Sequence, residues 1–389
     1  MKQRILLVGY YGRNNVGDEA ILLSIIRMLR GRYDLTALSF NPRDTGSRMG
    51  VRSVAFPSFK RPGQVFQSLN AVNGADALAI SGGVVANKLQ PLSLFTWLFF
   101  LLAAKLGGKK AILLGCGCGP FRDGFLTAAA AAIIGTSDAI YPRDSTSLRS
   151  LVKIGVSKAR TSTADLAFLL GPYPKPGIAA SKAPARTNTK VRVLFVLPLR
   201  YHIPRLWKGE RFGRKYSNYV NSVTEAADLI AEGMDASLEF LPLDKADLTF
   251  YDSVIDGMKN KGSARAIGFR NDVDSVINRF ADADVVVAGR YHSIVFSILT
   301  GTPMVPIVYH PKGVDLVREI GLTRVAHELG DGIELPESNL DPRKLAASVE
   351  EVYKNRDMFR ASLVRNRQKL MESSMKNIQG LYGLLPERI

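Results

Sequence analysis

At 389 residues the chain exceeds one ordinary core, and its 46% hydrophobic content supports two well-buried domains and excludes a disordered or low-complexity polymer. The net charge of +17 calls for an anionic partner, which nucleic acid, anionic lipid headgroups and phosphorylated substrates all satisfy. Residues 1–172 hold 21 Lys and Arg against 9 Asp and Glu, and residues 173–389 hold 31 against 26, so the basic surface belongs mainly to the first half. With no helix-turn-helix, zinc-finger or RNP-like aromatic motif, nucleic acid is not the expected partner.

In chain order, the first unit is a strand, Arg4–Val8, then Gly9-Tyr-Tyr-Gly12-Arg-Asn-Asn15-Val-Gly17-Asp18-Glu19, then an apolar helix. A glycine-rich turn between strand and helix lets a ligand approach the backbone, and Asp18 and Glu19 suit the helix dipole. The glycines do not form a dinucleotide fingerprint and no Walker lysine follows, so the loop alone is a weak phosphate-site signal. Further strands are expected at 35–40, 77–81, 111–115 and 139–141. Each is followed by a helical pattern, the alternation of a parallel sheet with crossover helices. Their ends collect Ser81-Gly82-Gly83, the turn-like Gly115-Cys-Gly-Cys-Gly119-Pro120, and Pro142-Arg143-Asp144-Ser145.

The proline-rich stretch from Gly171 to Lys190 reads as a linker, after which strands are expected at 191–197, 237–241, 265–269, 285–288 and 304–309. The resulting division is a first Rossmann-like domain over 1–172, a linker over 173–190, a second over 191–335, and C-terminal helices over 336–389 packing back on the first. Two such domains would place their strand-end edges across a central cleft.

Cys116 and Cys118 are too close in sequence for an ordinary structural disulfide and lack the partners of a zinc site, so they read as small buried residues in a reducing compartment. The basic start Lys2-Gln-Arg4 precedes only a short apolar run, which is not a secretory signal, and a cytoplasmic location is expected. The apolar stretch from Pro91 to Ala104 is shorter than the roughly 20 residues of a membrane crossing. It reads as a helix buried between sheet and neighbour, with a membrane-surface helix as the second reading.

The stretch Asp284-Val-Val-Val-Ala-Gly-Arg290-Tyr-His292-Ser293 ends a strand at a glycine and delivers a cation and an imidazole before an apolar helix. In open α/β sheets ligands bind at that edge. The next strand ends in Tyr309-His310-Pro311-Lys312, where the proline turns the chain so that Lys312 can face the same edge. Arg143, with Asp144 to orient it, and Arg200, closing the strand that opens the second domain, extend the set. Cations without a carboxylate cluster imply an anionic substrate, not a divalent metal. An imidazole among them is suited to deliver a proton. A set of structural ion pairs is the competing reading. The basic and aromatic loop from Arg200 to Tyr216 suits sugar rings and phosphates, or is a solvated loop.

Taken together and in order, the Gly-x-x-Gly-x-x-Asn-x-Gly-Asp-Glu-Ala segment at 9–20, Ser-Gly-Gly at 81–83, Gly-x-Gly-Pro at 117–120, Arg-Asp-x-x-Ser at 143–147, Thr-Ala-Asp at 163–165, Arg-x-His at 290–292 and Tyr-x-x-Lys at 309–312 resemble the polysaccharide pyruvyl transferase family. The resemblance implies a GT-B-like α/β fold and phosphoenolpyruvate as donor substrate, with no other cofactor. It implies a saccharide acceptor, lipid-linked or polymeric, that receives a pyruvate ketal, and peripheral contact with the inner membrane face. Carried over by position, it implies His292 as general acid, with Arg290, Arg143 and Lys312 binding phosphate and carboxylate. Arg200 is added from strand-end placement, and Gly12, Asn15, Gly17, Asp18, Gly82, Gly83 and His310 complete the substrate-binding candidates. Val84 to Lys88, Cys116 and His310 depart from residues frequent in relatives, and His310 competes with His292 as proton donor. A GT-B glycosyltransferase using a nucleotide sugar and a non-catalytic membrane-surface assembly protein are the rival readings. The former lacks a clear paired-glutamate ribose pattern after His310.

Overall fold

A computed structural model describes residues 2–58, 61–82, 84–85, 91–121, 124–159, 161–173, 190–198, 210–329 and 340–386. The chain divides into two compact units, one of residues 1–170 with 369–389 and the other of residues 171–368.

The first unit carries strands β1 (Arg4–Val8), β2 (Asp34–Ser39), β3 (Arg52–Ala55), β4 (Ala77–Ser81), β5 (Val84–Val85), β6 (Lys110–Cys118) and β7 (Ala139–Pro142). All pair in parallel in the order β3-β2-β1-β4-β6-β5, with β7 also on β6. Setting aside the two-residue β5, the order is that of a doubly wound dinucleotide-type sheet, whose direction of winding reverses between β1 and β4. Both of those strands are almost wholly buried, as expected where helices cover both faces.

The second unit repeats the plan with β8 (Val191–Val196), β9 (Ala236–Phe240), β10 (Ala264–Ala266), β11 (Val285–Ala288), β12 (Met304–Val308) and β13 (His327–Glu328). These lie parallel in the order β10-β9-β8-β11-β12-β13, so winding reverses between β8 and β11. The expected pair of Rossmann-like parallel-sheet domains is therefore present.

Two local expectations are corrected. The stretch from Gly115 is not a turn: β6 runs on through Cys118. Gly115 takes φ +55° and the pairing with β7 shifts register between Leu114 and Cys116, so the glycine absorbs a bulge and lets the strand continue. Residues 210–216 are not loop but the opening of the helix Glu210–Gly233; the preceding Arg200 and its neighbours lie outside the described residues. The C-terminal region holds two helices, Pro342–Lys354 and Arg356–Leu384, separated at Asn355. Of the second, only the portion from Lys369 belongs to the first unit. There Asn377 Oδ1 accepts from the Gly115 N–H at 2.7 Å, and Ser374 Oγ donates to the Asp165 carbonyl at 3.0 Å.

The helix Pro91–Leu106 is buried on one side only. Leu94, Trp97, Leu98, Leu101 and Ala104 enter the core of the first unit, each large side chain contributing roughly 1.5–3 kcal/mol. Among the described residues no helix is long and apolar enough to cross a membrane.

Candidate functional site

In doubly wound sheets the reversal of winding leaves a crevice beyond the strand carboxyl ends, and in each unit the candidate residues gather there. In the first unit, β1 ends at Val8 and the turn from Gly9 reaches Gly12 with φ +77°. A Cβ on Gly12 would lie 2.2 Å from Ser39 Oγ and 2.6 Å from the Asn41 nitrogen, so only glycine fits. The Gly12 N–H donates to Glu19 Oε1 at 2.7 Å, and Arg48 pairs with the other oxygen of this fully buried carboxylate at 2.9 Å. Asn15 caps the helix Val16–Leu29 by accepting from the Gly17 N–H at 3.0 Å. At the end of β4, Gly82 takes φ +61°, and a Cβ there would stand 3.8 Å from Asp18 Oδ1. The Tyr11 hydroxyl bonds Ser81 Oγ, tying the β1 turn to the β4 end. Gly12, Asn15, Gly17, Asp18 and Gly82 thus share one edge, while Gly83 lies outside the described residues.

Arg143 follows β7 and is 5% exposed. The expected pair with Asp144 forms at 3.2 Å, and Asp165 Oδ2 stands 3.9 Å from Nη1, so two carboxylates largely balance the guanidinium within the first unit. Burial raises the Asp144 pKa, but Arg143 and the Ser147 hydrogen bonds outweigh it and hold the carboxyl below its ordinary value. The buried thiols flank this edge, and burial pushes Cys116 up to about 12, which leaves it protonated and inert.

The second unit supplies the denser cluster. Arg290 follows β11 as the N-cap of the helix Tyr291–Thr300. Its N–H donates to Ser293 Oγ at 3.1 Å, and that hydroxyl donates back to the Arg290 carbonyl at 2.5 Å. Its guanidinium meets Asp247 edge-on, Nε to Oδ2 at 2.7 Å and Nη2 to Oδ1. Burial disfavours the cation, but wholly buried Asp247 more than offsets this and raises the Arg290 pKa further above its ordinary value. Beside it, Tyr251 Oη accepts from the Leu197 N–H at 3.0 Å and lies 2.8 and 3.1 Å from the Leu197 and Leu241 carbonyls. One buried phenol therefore pins the chain just beyond β8 and β9.

His292 occupies the first turn of the same helix, its ring edge-on to Tyr291 at 5.3 Å and tilted against Phe296 at 6.1 Å. Lys312 Nζ sits 5.1 Å from the centre of the Tyr291 ring, which places a second cation one ring away from the imidazole. Beyond β12, His310 is the N-cap of the helix Pro311–Glu319, its Nδ1 accepting from the Lys312 N–H at 3.4 Å. Through that ring nitrogen His310 caps the helix. Tyr309 lies close enough to feel Arg290 and Asp247, and burial, its largest influence, keeps its hydroxyl protonated.

The second sheet edge thus brings together Arg290, His292, His310 and Lys312. Asp247, Tyr251 and Tyr291 join them without having been singled out in the sequence. Asp244 and Asp247, flanking a turn two residues after the expected strand 237–241, carried a readable signal, since paired acids at a strand end commonly cap or orient. No cluster of His, Cys, Asp and Glu among the described residues could hold a metal ion.

The profile of the polysaccharide pyruvyl transferase family matches residues 15–311, a span that takes in Asn15, Gly82, Arg143 and the Arg-x-His turn and stops short of Gly12 and Lys312. The chain belongs to the polysaccharide pyruvyl transferase family. No curated protein sequence matches this family member. Solved structures similar to it include S. aureus MnaA with UDP, at TM-score 0.65 and 11% identity over 99% of this chain and 98% of that one. A glycosyltransferase from Rickettsia africae matches at TM-score 0.64 and 12% identity over 100% of both chains. A Neisseria meningitidis UDP-GlcNAc 2-epimerase bound to UDP-GlcNAc matches at TM-score 0.61 and 10% identity over 98% of this chain and 100% of that one. At such identities the likeness is one of fold alone, which is GT-B-like.

Proposed function

We propose that the protein transfers the pyruvyl group of phosphoenolpyruvate to a sugar of a cell-surface polysaccharide or its lipid-linked precursor, forming a pyruvate ketal and releasing phosphate. Family membership supports the reaction class. The observation that carries the assignment to residues is the cluster beyond β11 and β12, where Arg290 and Lys312 stand at helix N-termini on either side of Tyr291 and His292. A helix N-terminus adds its own partial positive charge to such cations, which suits a donor with a phosphate and a carboxylate.

In this reading His292 protonates the methylene carbon of phosphoenolpyruvate, making a methyl group and a cation-like centre at C2. One sugar hydroxyl bonds to C2, the C2–O bond to phosphate breaks, and a second hydroxyl closes the ketal. Of the two hydroxyl protons lost, one balances the proton placed on carbon and the other leaves as hydrogen phosphate. Asp247 takes two of the five Arg290 N–H bonds, which leaves three for the donor's oxygens. Arg290 and Lys312 stabilise the departing phosphate. On the first unit, the glycine-lined edge from Gly12 to Gly82 is the place for the acceptor saccharide.

The test is phosphate release from phosphoenolpyruvate with lipid-linked saccharide acceptors, comparing wild type with His292→Ala. Acceptor-dependent release is expected, falling by about 10²–10⁴-fold in the variant. If no acceptor elicits release and a nucleoside diphosphate raises the melting temperature while phosphoenolpyruvate does not, the donor is a nucleotide sugar and the proposal fails.

A further inference from the structure

The helices Pro62–Gly74, Pro91–Leu106 and Phe125–Gly135 follow β3, β5 and β6 in the first unit. The middle helix packs against both others, so the three form one layer. The outer stripe of that middle helix is apolar. Phe95, Phe99, Leu102 and Leu106, spaced four, three and four residues apart, are 51%, 39%, 44% and 80% exposed. That spacing is one helical face, opposite the one buried in the core. Phe66 on the preceding helix is 70% exposed and Phe125 on the following one 90%. Soluble surfaces scatter such side chains singly, whereas this layer of three packed helices exposes six.

Charge decides what covers it. Exposed Arg61 caps the first of these helices, and exposed Lys110 lies just past the end of the second. The described acids of this face, Asp76 and Asp138, are tied to cations, Asp76 to Arg4 and Asp138 to Lys105 and Lys110. An apolar stripe flanked by cations, in the half of the chain that holds most of the basic surplus, is complementary to an anionic lipid surface. Aromatic rings favour the boundary between acyl chains and headgroups. With 16 residues the helix spans roughly 24 Å, suited to lying along such a surface.

We propose that this three-helix face of the first unit docks on an anionic phospholipid bilayer, Phe66, Phe95, Phe99 and Phe125 entering the acyl boundary while Arg61 and Lys110 meet the headgroup phosphates. The inference does not depend on the pyruvyl transfer reading, because vesicle binding is measured without donor or acceptor.

The test is co-sedimentation of the full chain with vesicles of phosphatidylethanolamine and phosphatidylglycerol, against vesicles of phosphatidylcholine alone. Binding is expected only with the anionic lipid, weakening at high salt. The Phe95→Ser/Phe99→Ser variant should lose about tenfold or more in partitioning at unchanged melting temperature, and Arg61→Glu/Lys110→Glu should lose the preference for anionic lipid. Binding that ignores both lipid charge and the serine variant overturns the proposal. So does a wild-type oligomer, seen by light scattering in lipid-free buffer, that the serine variant dissociates, since the face would then pair with a second copy.

Discussion

The carboxylate of Asp247 takes two of the N–H bonds of Arg290 and so sets the plane in which the rest of the guanidinium can meet an anion. Asp247→Asn keeps the shape but points an N–H at the guanidinium. It is expected to cost roughly 3 kcal/mol in denaturant unfolding, as for a broken buried pair, and about 10²-fold in phosphate release through misplacement of Arg290. The two imidazoles separate by the same logic. His310→Asn replaces one N-cap with a better one and should retain most activity, whereas His292→Asn should abolish it; equal losses would return His310 to the proton-donor role. Arg290, His292, His310 and Lys312 were legible because each stands directly after an apolar run. The acid pair Asp244 and Asp247 marked a strand end, but that Asp247 holds Arg290 and that Tyr251 bonds Leu197 were not legible, because these partners are 43 and 54 residues away in sequence.

Among the elements, the turn from Gly9 to Gly12 is the least tolerant. Gly12→Ala puts a Cβ against Ser39 Oγ and backbone at Asn41 while forcing a left-handed conformation. Strain and overpacking together should cost roughly 2–4 kcal/mol, read as a lowered denaturation midpoint, whereas Gly31→Ala, whose Cβ meets nothing, should be nearly neutral. Strands β1, β4 and β11 follow their sequence pattern residue for residue because apolar runs bounded by Gly, Ser or charge leave little freedom. By contrast, β3, β5 and β13 were missed: β5 and β13 are two residues long, and β3, Arg-Ser-Val-Ala and only partly buried, has no apolar run to read. Gly115 misled for a physical reason: a glycine with positive φ ends many strands but here absorbs a bulge within one.

At the scale of the molecule, the two units meet acid differently. In the second, burial is the main reason that the His327 pKa lies below the ordinary imidazole value, so the unfolded chain takes up its proton first. Stability contributed there is present above about pH 6.5 and declines as pH falls from that value toward the lower folded pKa. In the first, the partners of Asp144 and Asp138 overcome burial and lower both pKa values, so their contribution is present above about pH 4 and is lost as pH falls further, through the folded values. Thermal unfolding at about pH 5.5 should therefore weaken the second unit before the first, and His327→Gln, which preserves a bond to Ser348, should remove that early loss. The amino-acid sequence by itself determined the two parallel-sheet units, the family, and the cations and imidazoles at strand ends, because periodicity, turn residues and motif order are local properties of a chain. Only the tertiary structure decided which acid holds Arg290, which imidazole caps a helix, that Arg143 lies between two carboxylates, and that one side of the helix Pro91–Leu106 faces outward. Each of these depends on burial and on partners brought together across the fold, which no spacing along the chain encodes.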